Sequence, residues 1–392
     1  MNLILPKTAI EAAAPLRSPE DTATIILQAA QSLCAVLSKG AIIDARILRE
    51  AMESAFGGSD AEGLWTWKTA YDVCETAQIL FLRAYGPAMQ ARTTSQEALL
   101  GMIERLANLL PTHTRRTQES NTLQQFSTPA PLALVASLAA GITPNDIVLE
   151  PSAGTGMLAI FAELRRAPLA LNEIADVRAA LLKKLFPDAS VTALDAASIH
   201  DRLEERVKPS VVLMNPPFSA LLYVTGRRMD TTFRHIVSAF ARLAQGGRLV
   251  TITGASVAPD APAWREAFAE LQQKSGYVRF SCAINGTAYA KHGTTFETRL
   301  TVIDKIDVPD AKSLPSSAPC AANAAELLAR VNEGVPPRAP LPASVGLAEQ
   351  RNSPPTVIRG FSYLPMAFQL HLLSPNCHTK LHRQGLQLRH LI

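Results

Sequence analysis

The sequence predicts an α/β fold in which a parallel sheet carries helices on both faces. Three observations lead there. Between residues 125 and 305, short β-rich runs (DIVLE, LALNE, SVTALD, VVLMN, RLVTIT) alternate with runs of helical spacing (GMLAIFAELRR, ADVRAALLKKLF, AASIHDRLEERV, TFRHIVSAFARLAQ). Parallel pairing needs a crossover between strands, and those helical runs supply it. The composition, 47% hydrophobic and 18% charged over 392 residues, supplies a sizeable core and excludes a globally disordered chain.

The elements follow in order. Residues 1–120 read as a helical extension. TATIILQAAQSLCAVLSKG, DARILREAMESAF and EALLGMIERLANLL each carry apolar residues at helical spacing, Gly40 suits a C-cap, and Gly57-Gly58 and Gly86-Pro87 punctuate. It carries no readable motif. After RLVTIT come a helix, APAWREAFAELQQK, and two runs, YVRFSCAI and TRLTVIDK, which predict a hairpin-like edge on the sheet. Residues 308–356 have the Pro, Ala and Ser content of a linker, with a short helix at AAELLARVNEG. Residues 357–392 hold four of the eight histidines and no carboxylate, and read as a basic, His-rich tail.

The bulk properties narrow the function classes. A net charge of +4 and a pI of about 8.8 fit a nucleic-acid partner without requiring one. Five scattered cysteines without a CxxC pair exclude a disulfide framework and the usual zinc motifs, so no metal is expected. MNLILPKTAI has no basic residue ahead of its apolar run and no small-residue cleavage site, so it is a poor signal peptide. The longest uncharged window, Ser120 to Asn145, is broken by prolines and is not a membrane span. A cytoplasmic protein with no membrane partner is the expectation; oligomeric state is not legible.

The chemistry begins at DIVLEPSAGTGMLAIFAE, Asp146 to Glu163. A hydrophobic strand ends in Glu150, and Gly154-Thr155-Gly156 leads into a helix. Glycines let a backbone approach a ligand closely, and a helix start offers unpaired N–H groups. Glu173, at the end of the next strand, is placed to take a ribose diol. Read alone, the glycine loop also matches a dinucleotide fingerprint. Glu150 separates the two cofactors: a carboxylate beside the loop repels a pyrophosphate but suits the sulfonium or ammonium of S-adenosylmethionine.

VVLMNPPFSA, Val211 to Ala220, is the second marker. Two adjacent prolines hold a rigid, non-helical turn at the end of the fourth strand. A dehydrogenase has no use for Asn-Pro-Pro-Phe there. A planar amine does, because its lone pair is delocalised and both N–H hydrogens need acceptors to pull the nitrogen toward a tetrahedral shape. The Asn215 side-chain oxygen and the Pro216 carbonyl supply those acceptors, and Pro217 helps fix the carbonyl's direction. Phe218 offers a face on which an extruded base stacks, worth about 1–3 kcal/mol. Developing charge on the nitrogen is then stabilised without a titrating base.

EPSAGTG followed by NPPF resembles the S-adenosylmethionine-dependent amino-methyltransferases. Within them it is similar to the adenine-specific DNA methyltransferases whose cofactor motif precedes the catalytic one. The resemblance spans roughly residues 122–305, and it sets the methyltransferase domain at 121–307. It implies a Rossmann-like, seven-stranded class I methyltransferase sheet, S-adenosylmethionine as cofactor and the N6 amine of adenine in DNA as acceptor. QQFSTPAPLA resembles the family's first motif, which implies that Phe126 and Pro129 lie near the methionine end of the cofactor. Glu150, Ala153, Gly154 and Gly156 match the glycine-loop motif. Glu173 matches the ribose-binding acid, and Asp195 the acid that takes the cofactor's adenine amine. HGTTFETRLTVIDK resembles the late strands.

More narrowly, the run looks like the methyltransferase segment that precedes the helicase in bacterial strawberry-notch-type methylase/helicase proteins. No Walker GxxxxGK[ST] motif follows here, so the expectation is a truncated chain or a stand-alone relative; the resemblance implies DNA as partner, with a separate helicase as a further one. Two alternatives stay open. The acceptor is an RNA base or a protein glutamine amide, which poses the same problem to the turn; or the chain is a catalytically weak cofactor- or nucleic-acid-binding module serving a helicase. Arg227-Arg228 stand where they could meet phosphates. His200, His235 and His292 match no motif role.

Overall fold

A computed structural model describes residues 17–114, 127–217, 230–339 and 341. Four helices come first: α1 Pro19–Ser38, α2 Ala45–Phe56, α3 Trp67–Arg92 and α4 Gln96–Asn108. Ser18, Asp44, Thr66 and Ser95 each accept a first-turn N–H with their side chains, which sets where each helix starts. The alternating region then runs α5 Ala130–Ala140, β1 Val148–Glu150, α6 Met157–Glu163, β2 Leu169–Asn172, α7 Asp176–Leu185 and β3 Ser190–Thr192. A short 3₁₀ turn, Ala196–Ser198, leads to α8 Ile199–Arg202, β4 Val211–Met214, α9 Asp230–Arg242, β5 Arg248–Gly254 and α10 Arg265–Gln273. The chain closes with β6 Gly276–Ile284, a 3₁₀ segment Gly286–His292, β7 Thr298–Lys305, β8 Ala318–Ala321 and α11 Ala324–Gly334.

The sheet has eight strands in the order β3-β2-β1-β4-β5-β7-β6-β8. From β3 to β5 all pairs are parallel, as the alternation predicts; β7 enters antiparallel between β5 and β6. Side chains alternate across it. Val148, Val211, Leu213, Val250 and Val302 join one apolar cluster, and Leu149, Val212, Met214, Leu249 and Ile303 the other.

The sequence expectation departs from this in two places. An eighth strand, β8, arises within the stretch assigned to a linker. It pairs parallel with β6, matching Cys282 with Ala318 and Ile284 with Ala321. Proline content hid it, but β8 is an edge strand, where Pro319 removes no interior ladder bond. Residues 318–338 are therefore bound to the core. The buried Arg248 guanidinium donates to Asp304 at 2.6 and 3.0 Å, to the Ala139 carbonyl at 3.0 Å and to the Pro336 carbonyl at 3.0 Å. Arg338 pairs with buried Asp146 at 2.6 Å. The residues called a basic tail, 357–392, lie outside the described residues.

The helical extension is likewise continuous with the core. α1 packs on α3 and α7, α3 on α6, and α4 on α5. Leu33, Leu82 and Leu106 share one buried cluster with Leu134, Ile160 and Leu181. Among the described residues, no helix is long and apolar enough to cross a membrane. Cys34, Cys74, Cys282 and Cys320 are free thiols.

Candidate active site

The strand order reverses at β1, which has β2 on one side and β4 on the other. Crossover helices leave in opposite directions there, so a crevice opens at the carboxyl ends of the strands. A cavity of about 230 Å³ occupies that position. Four parallel strands deliver polar residues that the sequence singled out: Glu150 ends β1, and Glu173, Asp195 and Asn215 follow β2, β3 and β4. Ala153, Gly154, Pro216 and Pro217 complete the set that lines it.

Backbone bonds set these groups. The Glu173 carboxylate accepts from the Gly154 N–H at 2.8 Å and the Ala175 N–H at 2.9 Å, which ties the glycine loop to the end of β2. Asn172, which the sequence reading passed over, donates to the Pro151 and Leu194 carbonyls, each at 2.9 Å, and accepts from the Leu194 N–H at 2.8 Å. One buried amide thus joins the loops after β1 and β3. Asp195 accepts from the Ala197 N–H at 2.9 Å and caps the short 3₁₀ turn while facing the cavity. Asn215 Nδ2 donates to Thr128 Oγ1 at 2.9 Å, which holds the amide against the loop before α5.

Glu150 is buried, and its Oε2 has no hydrogen-bond partner. Burial pushes its carboxyl well above the usual carboxylate range, and the Glu173 charge adds to the push. His235 also lines the cavity; burial lowers its pKa and its Nδ1 is unpartnered.

Two sequence assignments fall elsewhere. Pro129 begins α5 and lines a separate small cavity with Glu104, Leu132 and Thr287, so it does not reach the cleft. Its neighbours Ser127 and Thr128 do. Gly156 is not in the wall. Its φ is +96°, and an added Cβ would sit 2.5 Å from the Phe186 ring, so it serves the close approach of loop and α7. Gly156→Ala is expected to destabilise the fold by roughly 2–4 kcal/mol, combining left-handed strain with overpacking. Urea unfolding checks this, and an unchanged midpoint would mean that Phe186 yields. Phe126 and Phe218 lie outside the described residues.

The wall also holds what the sequence did not offer. Glu75 and Arg178 line it, and Glu75 comes from α3 of the extension. Thr155 Oγ1 donates to Glu75 at 2.7 Å. Burial raises the Glu75 carboxyl to about 7; the Asp72 charge adds to this, while Arg178 and the Ser127 and Thr155 hydroxyls oppose it. Arg178 donates to Asp72 at 2.7 and 3.2 Å. The one available signal was a run of polar residues, Asp72, Glu75, Thr76 and Gln78, buried in an otherwise apolar helix.

No family model matches the chain, and no curated protein matches it in sequence. Among solved structures it is similar to a candidate class I S-adenosylmethionine-dependent methyltransferase from Listeria monocytogenes, at 12% identity over 81% of this chain and 99% of that one, with a TM-score of 0.42. It is similar to the methyltransferase subunit of a type I restriction-modification system from Streptococcus thermophilus, at 14% identity over 81% and 75%, with a TM-score of 0.42. TrmN from Thermus thermophilus is similar at 17% identity over 48% of this chain, with a TM-score of 0.35. The matched region spans about half of that TrmN chain, 52%.

Proposed function

We propose that the chain is an S-adenosylmethionine-dependent methyltransferase acting on the N6 amine of adenine in DNA. One observation carries the reading: the Asn215-Pro216-Pro217 turn and the acid-lined glycine loop open onto one cavity at the sheet's switch point. The donor set suits a net cation bearing a diol. Four carboxyl groups, from Glu75, Glu150, Glu173 and Asp195, line the cavity, and the one arginine among its described lining residues, Arg178, is engaged by Asp72. A pyrophosphate would meet repulsion there.

Glu173, held by two backbone amides, retains acceptor capacity for ribose hydroxyls. Asp195 would take an adenine amine, and Glu150 would face the cationic end. The bound cofactor would supply an electrophilic methyl group. Asn215 and the Pro216 carbonyl would accept the two hydrogens of the target amine and hold its lone pair toward that methyl. The product proton would leave to water. Extrusion from the duplex brings the base to the turn, and stacking on Phe218 belongs to this proposal.

Cofactor labelled in its methyl group, offered with DNA, RNA and protein fractions, tests the acceptor. Label recovered as N6-methyladenine in DNA supports the reading. Label in RNA or in glutamine overturns the acceptor, and tight binding without transfer overturns the catalysis.

Cofactor affinity is expected to rise with pH. Burial raises the Glu150 pKa, so its carboxyl keeps a proton to higher pH than an exposed glutamate does. A cation beside it favours the carboxylate, so binding releases that proton. Affinity then climbs by up to about tenfold per pH unit below the raised pKa and levels above it. Glu150→Gln flattens the profile. Calorimetry in buffers of different ionisation enthalpy measures the proton directly; none released would mean that Glu150 does not meet the cation.

A further inference from the structure

A second group of side chains meets the cavity wall at Glu75. Glu75 lies on α3, His113 in the segment after α4, and His292 at the end of the 3₁₀ segment Gly286–His292. One ligand atom from each, a carboxylate oxygen and two imidazole nitrogens, all lie within 4.8 Å of one another. We propose that Glu75, His113 and His292 bind one divalent transition-metal ion, with zinc the ion this ligand set fits.

Two imidazoles and a carboxylate are a borderline-soft N₂O donor set, the kind that takes Zn²⁺ with one position left for water or another group. Bonds of about 2.0–2.1 Å in a tetrahedron place ligand atoms roughly 3.3 Å apart. The three ligand atoms lie within 4.8 Å of one another, so an ion would draw them in by side-chain rotation. The backbone need not move, because the ligand-bearing segments are already fixed to one another. The His113 N–H donates to the Lys291 carbonyl at 2.8 Å, and the Thr114 N–H to Tyr71 Oη at 3.0 Å. The Tyr71 ring stacks on His113 at 3.9 Å. Lys291 Nζ donates to the carbonyls of Ala107, Asn108 and Leu110 at the end of α4. Gly293, at φ +72°, lets the chain pass against the His113 carbonyl, which an added Cβ would strike.

An unmet valence points to a ligand. His292 Nδ1 is buried and has no hydrogen-bond partner. A buried orphan of this kind is costly, and a metal ion would satisfy it. Glu75 has two oxygens, so it can hold Thr155 and the ion together. The ion would clip the N-terminal helices to the sheet at the cavity wall. Cysteine and histidine spacing could not reveal this set, because its members are scattered over most of the chain.

The test uses the full chain stripped with a chelator. Zn²⁺ is expected to be retained at one equivalent through gel filtration and to raise Tm. Co²⁺ should give the visible bands of a four- or five-coordinate ion. His113→Gln/His292→Gln should lose both effects while its circular dichroism stays native. If that variant fails to fold, His292→Cys decides: it should retain cobalt and add a thiolate-to-metal charge-transfer band. A six-coordinate aqua spectrum in the wild type would overturn the proposal. So would metal kept equally by the double variant, which would place it on the His-rich residues 357–392, or a His292→Cys protein that binds cobalt without the thiolate band.

Discussion

Asn215→Ala is expected to lower methyl transfer about 10²–10³-fold while cofactor affinity stays within about twofold. The magnitude is that of removing one preorganised polar group from a transition state that develops charge. The selectivity comes from the geometry. The groups that would hold the cofactor, Glu173 and the glycine loop, are fixed by bonds to Gly154 and Ala175 that Asn215 does not share. Asn215 is oriented from the opposite side, by Thr128 at 2.9 Å. Thr128→Ala should therefore lower transfer by less, through a misaligned amide, and leave the acceptor in place. Single-turnover rates with calorimetric cofactor binding separate the effects. An equal fall in both quantities would assign Asn215 to the cofactor instead of the amine.

How much of this was legible depends on whether the information was local. Glu150, Gly154 and Asn215 sit at strand ends followed by rigid or glycine-rich turns, so sequence neighbours largely determine where they point. The strands between them were legible for the same reason, since VVLM and RLVTITG are buried along their whole length, the first as a continuous apolar run and the second as a β-branched one. Gly156 was legible as a glycine requirement but not as a packing one, because Phe186 is a different element. Pro129 was misplaced by a similar route: its motif neighbours Ser127 and Thr128 face the cleft, and the start of α5 turns Pro129 away. Glu75 and Arg178 were invisible because each acquires its role from a distant chain segment. β8 was hidden because proline rules out interior strands but not an edge.

Asp72→Ala is expected to cost about 3–5 kcal/mol of stability and to weaken cofactor binding as well. Asp72 and Arg178 have side chains only 10% and 13% exposed, and they are joined by a two-pronged bond. Removing one partner leaves the other's charge buried without compensation, and that sets the size of the loss. The exposed pair Arg46 and Glu50, on one face of α2, is the control; solvent screens it, so its disruption should leave the unfolding midpoint essentially unchanged. The effect on binding follows from where Arg178 lies. It lines the cavity, and Glu173 and Glu75 both act on its charge. Without Asp72 the guanidinium is drawn toward those carboxylates, and Glu173 loses acceptor capacity for the ribose. The double variant Asp72→Leu/Arg178→Met separates the two effects, because it removes both charges and keeps much of the volume. It should recover most of the stability, since an apolar pair replaces a buried ionic one at little cost. If affinity recovers with it, Arg178 matters only as a potential competitor for Glu173. If affinity stays low, Arg178 itself contacts the ligand, and helix α3 is then part of the binding site through the carboxylate that positions that arginine.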